Sequence, residues 1–456
     1  MNRKLEVRQI TEGVIWKQLL YFFFPILMGT FFQQMYTTVD TIVVGRFVGT
    51  NALAAVGSTS ALINLINGFF IGLSSGATVI LSQLYGANDR KGISNALHTG
   101  IALSLMLGLL VTVLGIFAGP LILQWCKTPA SCMDGAVRYI KIYFAGSIAT
   151  MVYNMASGIL RAMGDSKRPM LFLIITCILN IFMDYLWVVV LDMGIEGAAI
   201  ATVISQIVSA ALTVAALFRL DTDIRLKIPK IRITGFLMTN ILAIGIPAGL
   251  QFITFDLSNL LLQSGINSFG ETVVAAWTAY AKTDAIIWMT SGAFGVAITT
   301  FVGQNFGAEK YDRIRKAVRV CMGMAVGLIG LFCVLILIFG RYILMIYSDD
   351  MAVIDAGIQI MLGMAPYCVL FMPVEVFSGA MRGTGYSVVP TVITCMCVCV
   401  FRVLWIMFIV PLHHTVPTLC LAYPISWLLA SAVFFIVYLR GRWLKSRIAA
   451  LGMTPE

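Results

Sequence analysis

Long apolar runs separated by short polar stretches repeat from one end of the chain to the other. A run of about 20 mainly apolar residues can cross a bilayer as a helix. Twelve such segments can be drawn, at 17–44, 52–84, 92–118, 134–160, 169–190, 196–218, 235–264, 272–305, 320–341, 356–381, 387–410 and 417–439. The longer ones allow tilt or overhang into water. The runs are continuous, without the alternating ten-residue pattern of barrel strands, so helices are expected throughout. The first run is too long for the apolar core of a signal peptide and is expected to remain as a span. The fold class is therefore an all-α polytopic membrane protein.

Composition narrows the picture. The 456 residues are 59% hydrophobic and 11% charged, with mean hydropathy +0.93. A soluble domain carries about 25% charged residues. A water-soluble enzyme, a nucleic-acid binder and a disordered chain are thereby excluded. The net charge of +10 acts as a topology signal. With twelve spans, 24 of the 31 basic residues fall at the two termini and in the even-numbered loops. The positive-inside rule then places both termini in the cytoplasm, in an inner-membrane setting. The basic residues are spread over short loops, so lipid is the expected surroundings and nucleic acid is not an expected partner.

Comparing the chain with itself at an offset of 221 residues reveals a repeat. Six of thirteen positions match over 157–169, including Arg161/Arg382, Gly164/Gly385 and Pro169/Pro390. Gln83, Gly86 and Ala87 recur as Gln304, Gly307 and Ala308, and Pro25 recurs as Pro247 at an offset of 222. The expected organisation is a six-helix lobe over 1–218, a basic cytoplasmic linker over 219–233 and a second six-helix lobe over 234–456. Six is even, so the lobes share one orientation. Such parallel repeats support alternating access.

Ionisable groups inside spans are costly and are the first candidates for function. In the first lobe Asp40 and Asp184 lie at similar depth near the outer side. Asn180 shares the helical face of Asp184, and Thr202 enters from the sixth span at the same level. Together they suit a hard cation, or a proton shared between two carboxylates. The second lobe holds Asp256, Lys282, Asp284, Glu375 and Arg402. Lys282 and Asp284 face different directions. Glu375 and Arg402 are expected either to pair between helices or to meet substrate. Over both lobes the five acids outnumber the two bases, and Trp277, Tyr280 and Trp288 are near, which suits a lipophilic cation. Pro25 and Pro247 each remove a backbone donor within a span and are candidate gating points.

Other chemistry finds little footing. No phosphate-binding GxxxxGK[ST] loop occurs, so ATP is not the direct energy source. No nucleophile or metal constellation marks an enzyme, and no cofactor is expected. Cys395, Cys397 and Cys399 alternate along a helix and cannot converge on one metal. Cys126 and Cys132 share an outer loop and could pair; His413 and His414 are not expected to bind metal.

The sequence resembles the MATE (multidrug and toxic compound extrusion) family over essentially its whole length. The resemblance rests on Pro25 with Asp40 in PILMGTFFQQMYTTVDTIVVG, on QLYGA at 83–87 repeated as QNFGA at 304–308, and on LRAMGD at 160–165 echoed by MRGTG at 381–385. Asn180, Asp184 and Thr202 match the family's first-lobe polar cluster. The resemblance implies a V-shaped antiporter, exporting drug-like lipophilic cations in exchange for H+ or Na+. It implies that Asp40 carries the coupling ion with Asn180, Asp184 and Thr202, and that Pro25 lets the first span bend. Asn154, nearer the cytoplasm by depth, is a further candidate for that network. In the second lobe, Glu375 stands about one turn later than the family pattern, which favours the first-lobe site. A monomer is expected. The alternative function is a flippase or exporter of a lipid-linked or metabolite substrate on the same fold.

Overall fold

The computed structural model describes residues 10–125 and 128–450. Among the described residues every regular element is helical. In hydrocarbon each backbone N–H and C=O needs an internal partner, and the helix supplies it. The helices are α1 (Ile15–Val48), α2 (Thr50–Gly86) and α3 (Arg90–Trp125), then α4 (Ala130–Ala145) and α5 (Ser147–Ala162). They continue with α6 (Lys167–Val190), α7 (Gly194–Phe218), α8 (Gly235–Asn267), α9 (Glu271–Gly307), α10 (Tyr311–Tyr347), α11 (Met351–Gly383), α12 (Val388–Ile409) and α13 (Val416–Leu439). A short α14 (Arg442–Ala450) follows.

Eleven of these are long and apolar enough to cross a membrane. The fourth expected span is the exception in form. It is broken at Gly146 into α4 and α5, of 16 residues each. Gly146 sits where a Cβ would come within 2.8 Å of Val203 on α7, and its N–H turns back to Tyr143 O at 3.0 Å. The remaining spans match the sequence reading to within a few residues, apart from α3 and α10, which run several residues further. Lipid-facing side chains such as Leu109, Leu114 and Phe117 stay exposed on α3.

The repeat is visible in the backbone. The left-handed residues Gly49, Asn88 and Gly164 recur as Gly270, Glu309 and Gly385, each 221 positions on. The turn after α2 closes with Asp89 N–H donating to Leu84 O at 3.1 Å, and the turn after α9 with Lys310 N–H donating to Asn305 O at 2.9 Å.

The described chain divides into two compact units whose bounds differ from the sequence halves. Among the described residues, one contains those within 24–249; the other contains 11–23 and 250–450. The first turns of α8 therefore pack with the first unit, and the physical reason is close backbone contact. Gly72 and Gly76 of α2 face Gly245 and Gly249 of α8. A Cβ on Gly245 would stand 2.6 Å from Leu73 O, one on Gly249 2.7 Å from Phe69 O, and one on Gly76 would collide with Ile241 O. In the second unit, Phe23 of α1 stacks on Phe294 of α9 at 4.2 Å.

The segment 219–233 is anchored to the first unit. Leu220, Ile224 and Leu226 join its core. Lys227 N–H donates to His98 Nε2 at 3.0 Å, and Arg90 bridges Asp223 at 2.8 Å. Helix α14 was not expected, being too short and basic for a span. It buries Trp443, Leu444 and Ile448, and Arg447 Nε donates to Thr384 O at 3.1 Å.

Candidate functional site

Three helices bring the first-unit candidates together. Asp40 lies near the end of α1, four residues before a π-helical segment at Val44–Val48. Asp184 closes the α-helical part of α6, where a second π-helical segment, Tyr185–Val190, begins. Wide turns of this kind are common at functional sites. Thr202 lies two turns into α7. All four candidates, Asp40, Asn180, Asp184 and Thr202, are buried. Thr202 Oγ1 donates to Asp40 Oδ2 at 3.2 Å, with Ala198 O as its other acceptor at 3.0 Å. Asp184 and Asn180 lie against the Asp40 carboxyl.

The pair is under-satisfied. Asp40 Oδ1, both Asp184 oxygens and both Asn180 amide atoms are buried without a hydrogen-bond partner, and among the described residues no basic group acts on either carboxylate. Two unit charges about 4 Å apart at an effective dielectric of about 20 repel by about 4 kcal/mol. A proton between the carboxyls, or a hard cation among these oxygens, relieves that repulsion. The donor set of two carboxylates, an amide oxygen and a hydroxyl fits either.

The residues that sequence reasoning missed are neutral. Tyr36, Tyr139 and Tyr143 stand around the pair. Asn67 Nδ2 donates to the Tyr143 hydroxyl at 2.9 Å, and Gln206 Nε2 reaches it at 3.4 Å. A cavity of about 80 Å³ inside the unit is bordered by Gln33, Tyr36, Asn67, Asn180, Thr202 and Gln206, among others. Asn154 also borders it, so it shares the cavity with Asn180 and Thr202. The signal in the sequence was spacing: Tyr36 is one turn before Asp40, and Thr176 one turn before Asn180. Removing the Thr202 hydroxyl tests the geometry. A hydrogen bond to a charged group contributes about 1.5–3 kcal/mol, so Thr202→Val should weaken coupling-ion affinity roughly 10- to 100-fold. An ion titration of efflux rate would measure it.

The second-unit candidates come together in part: Asp284 lies near Tyr280 and Tyr423, and Arg402 and Trp277 pack on Tyr423. Among the described residues Glu375 and Arg402 form no ion pair, so the interhelical pairing, one of the two expected alternatives, is not found. Glu375 reaches toward Gly295 on α9 and is acted on by Arg382. Arg402 is buried on an aromatic bed. Its Nε donates to Ser426 Oγ at 2.9 Å, and its guanidinium lies 4.2 Å from the Tyr423 ring centre. Asp284 is buried and accepts from Trp288 Nε1 at 2.9 Å, whereas Lys282 is exposed. Asp256 is half-buried. Trp277 packs on Tyr423 at 5.7 Å, and Tyr280 is fully buried.

Pro25 and Pro247 lie inside α1 and α8. Each is within three residues of the point where its helix passes from one unit to the other. His414 Nε2 meets Ser268 Oγ at 3.1 Å. Among the described residues no three or more of His, Cys, Asp and Glu gather as a metal-ligand group. The Cys126–Cys132 pairing falls outside the described residues.

Comparison with known proteins gives consistent results. Residues 25–186 and 247–408 each match the sequence profile described as MatE, so the profile occurs twice. A probable multidrug resistance protein, YpnP of Bacillus subtilis, is 29% identical over 449 residues, covering 97% of this chain and 99% of that protein. The multidrug export protein MepA of Staphylococcus saprophyticus is 21% identical over 82% of this chain and 83% of its own. Among solved structures, an outward-facing multidrug resistance MATE transporter superposes with a TM-score of 0.89 at 23% identity, over 99% of this chain and 100% of that one. A MOP superfamily transporter from Pyrococcus furiosus gives 0.89 at 22% identity, over 97% and 99%.

Proposed function

The chain belongs to the MATE family of multidrug transporters, and from that premise we propose that it is a secondary antiporter that exports lipophilic organic cations in exchange for H+ or Na+. The observation carrying this reading is the buried Asp40–Asp184 pair, with unpartnered oxygens and no basic neighbour. The transported ion loads among Asp40, Asn180, Asp184 and Thr202. Loading cancels the repulsion within the pair and so favours one conformational state over another. The change acts on α1 and α6 where each turns into a π-helical segment. Pro25 and Pro247 weaken α1 and α8 near the crossings between units, which makes them the hinge points of the switch. The protein works in the inner membrane with both termini cytoplasmic, as the distribution of Lys and Arg argues.

The test is efflux of a cationic dye from proteoliposomes with an imposed H+ or Na+ gradient and no nucleotide. One gradient should drive dye against its own concentration, and an ionophore for that ion should stop it. Transport indifferent to both gradients would overturn the reading. The same assay locates coupling. In Asp284→Asn the amide oxygen still accepts from Trp288, and such a retained neutral hydrogen bond differs by about 1 kcal/mol or less. Efflux should therefore stay within about five-fold of the parent.

A further inference from the structure

Below the carboxylate pair, the first unit carries polar groups at one-turn intervals on three helices. On α6 these are Asp184, Asn180 and Thr176. On α7 they are Thr202, Ser205 with Gln206, and Ser209. On α5 they are Tyr153 with Asn154, then Ser157 and Arg161. Spacings of three and four keep each series on one face. The α6 and α7 series meet where Ser209 Oγ donates to Thr176 Oγ1 at 2.9 Å; Tyr153 and Asn154 of α5 border the same cavity, and Tyr153 approaches Ser157 and Arg161 further along α5. The cavity borders Asn180, Thr202, Ser205, Gln206, Thr176 and Ser209 in turn.

Many of these atoms are unsatisfied within the protein. Ser205 Oγ, Gln206 Oε1, Thr150 Oγ1, Ser157 Oγ and Arg161 Nε are buried without a hydrogen-bond partner. Buried polar atoms of this kind take water as partner when the space is polar and roomy. A volume of about 80 Å³ holds several waters, since each needs roughly 10–15 Å³.

The second unit supplies a control within the same chain. At an offset of 221, Asn67, Thr150, Thr202 and Gln206 correspond to Trp288, Phe371, Tyr423 and Trp427. Those rings pack on one another. Trp288 and Phe371 are 5.2 Å apart, Trp288 and Trp427 5.8 Å, and Tyr423 and Trp427 5.8 Å. Asp40 and Asp184 have apolar or aromatic counterparts, Leu261 and Trp405. The same place in the repeat borders a cavity in one unit; in the other, aromatic rings take those four positions, with Ser426 in place of Ser205 and Arg402 lying on the rings.

We propose that the ion leaving the Asp40–Asp184 pair crosses the remainder of the first unit through this hydrated row, past Ser205 and Thr176–Ser209, and exits at Arg161. The cargo is a proton relayed by water or a small monovalent cation. Hydroxyl and amide oxygens offer either one weak, exchangeable contacts along the way. Arg161 places a fixed positive charge at the far end, so the ion is released there and not held. The proposal rests on the antiport reading for the identity of the cargo, but the hydrated row stands on geometry alone.

The experiment uses Ser205→Cys, Ser209→Cys and Ala430→Cys, the last being the counterpart of Ser209 in the second unit. Inside-out vesicles receive a small water-soluble methanethiosulfonate reagent, with the parent chain and its native cysteines as background. Cysteine at 205 and 209 should react at least ten-fold faster than cysteine at 430. The attached group should cut gradient-driven efflux at least ten-fold, and a reductant should restore it. Reaction at 205 and 209 as slow as at 430 would overturn the hydrated row. Fast reaction with undiminished efflux would overturn its role in transport. Neither result depends on Asp40. If the cysteines react while Asp40→Asn still couples, the row stands and the antiport reading at the pair falls. If they are inert while Asp40→Asn is inactive, the opposite holds.

Discussion

Asp40→Asn should abolish gradient-driven dye efflux while the protein still folds and inserts. The amide is nearly the same size and keeps an oxygen for the Thr202 hydroxyl at 3.2 Å. It cannot carry the charge that a proton or cation neutralises. The pair loses its internal repulsion permanently, so ion binding no longer separates two states, and a ligand without differential affinity shifts no equilibrium. The expected loss is roughly 100-fold or more, corresponding to about 2.8 kcal/mol. Efflux in proteoliposomes measures it, alongside the thermal unfolding midpoint in detergent, which should move little. An inactive variant that also unfolds early would show a packing role for Asp40 instead.

A second large effect is expected at the contact between α2 and α8. Gly76→Val places a branched side chain where even a Cβ would collide with Ile241 O. The clash is with backbone, so no rotamer change relieves it. Forcing extra atoms into a packed interface costs about 1–3 kcal/mol and sometimes more. The first turns of α8 would be displaced from the first unit, and with them Pro247 at the crossing. A clear drop in the unfolding midpoint and a loss of most efflux activity should follow. Gly57→Ala on the same helix meets nothing within 4 Å and should leave both unchanged. A fully stable, active Gly76→Val would mean that α2 and α8 can separate freely.

Spans and the repeat were legible because they are written in long, redundant signals. Hydrophobic runs of twenty residues tolerate many exceptions, and a break such as Gly146 leaves the average unchanged. That break was hidden in part because the close approach of Gly146 to Val203 joins residues far apart in sequence. The boundary of the units was hidden for a similar reason. The glycine pairs at 72/76 and 245/249 are visible in the sequence, but only their facing each other shows that the start of α8 belongs with the first unit.

At the site, charge was the legible part. Asp40 and Asp184 stand out against an apolar background, and the i,i+4 relation brought Asn180 with them. Tyr36, Tyr143, Gln206 and Ser209 did not stand out, since neutral polar residues are common in membrane helices. In the second unit, charge alone did not give the contacts. Glu375 and Arg402 look like partners on adjacent helices, yet Arg402 turns its Nε to Ser426 and its face to the Tyr423 ring. A guanidinium has more ways to be stabilised than a carboxylate partner alone.

The most direct test of coupling at the first-unit pair runs the cycle backwards. Proteoliposomes start with equal ion concentrations on both sides and a steep gradient of the organic cation. Net movement of H+ or Na+ against its own gradient is then followed, with a fluorescent pH indicator or radioactive sodium. The parent chain should drive one of the two ions uphill, opposite to the organic cation, and Asp40→Asn should drive neither. Uphill ion movement that persists in Asp40→Asn, or none in the parent while the organic cation still crosses, would contradict the account.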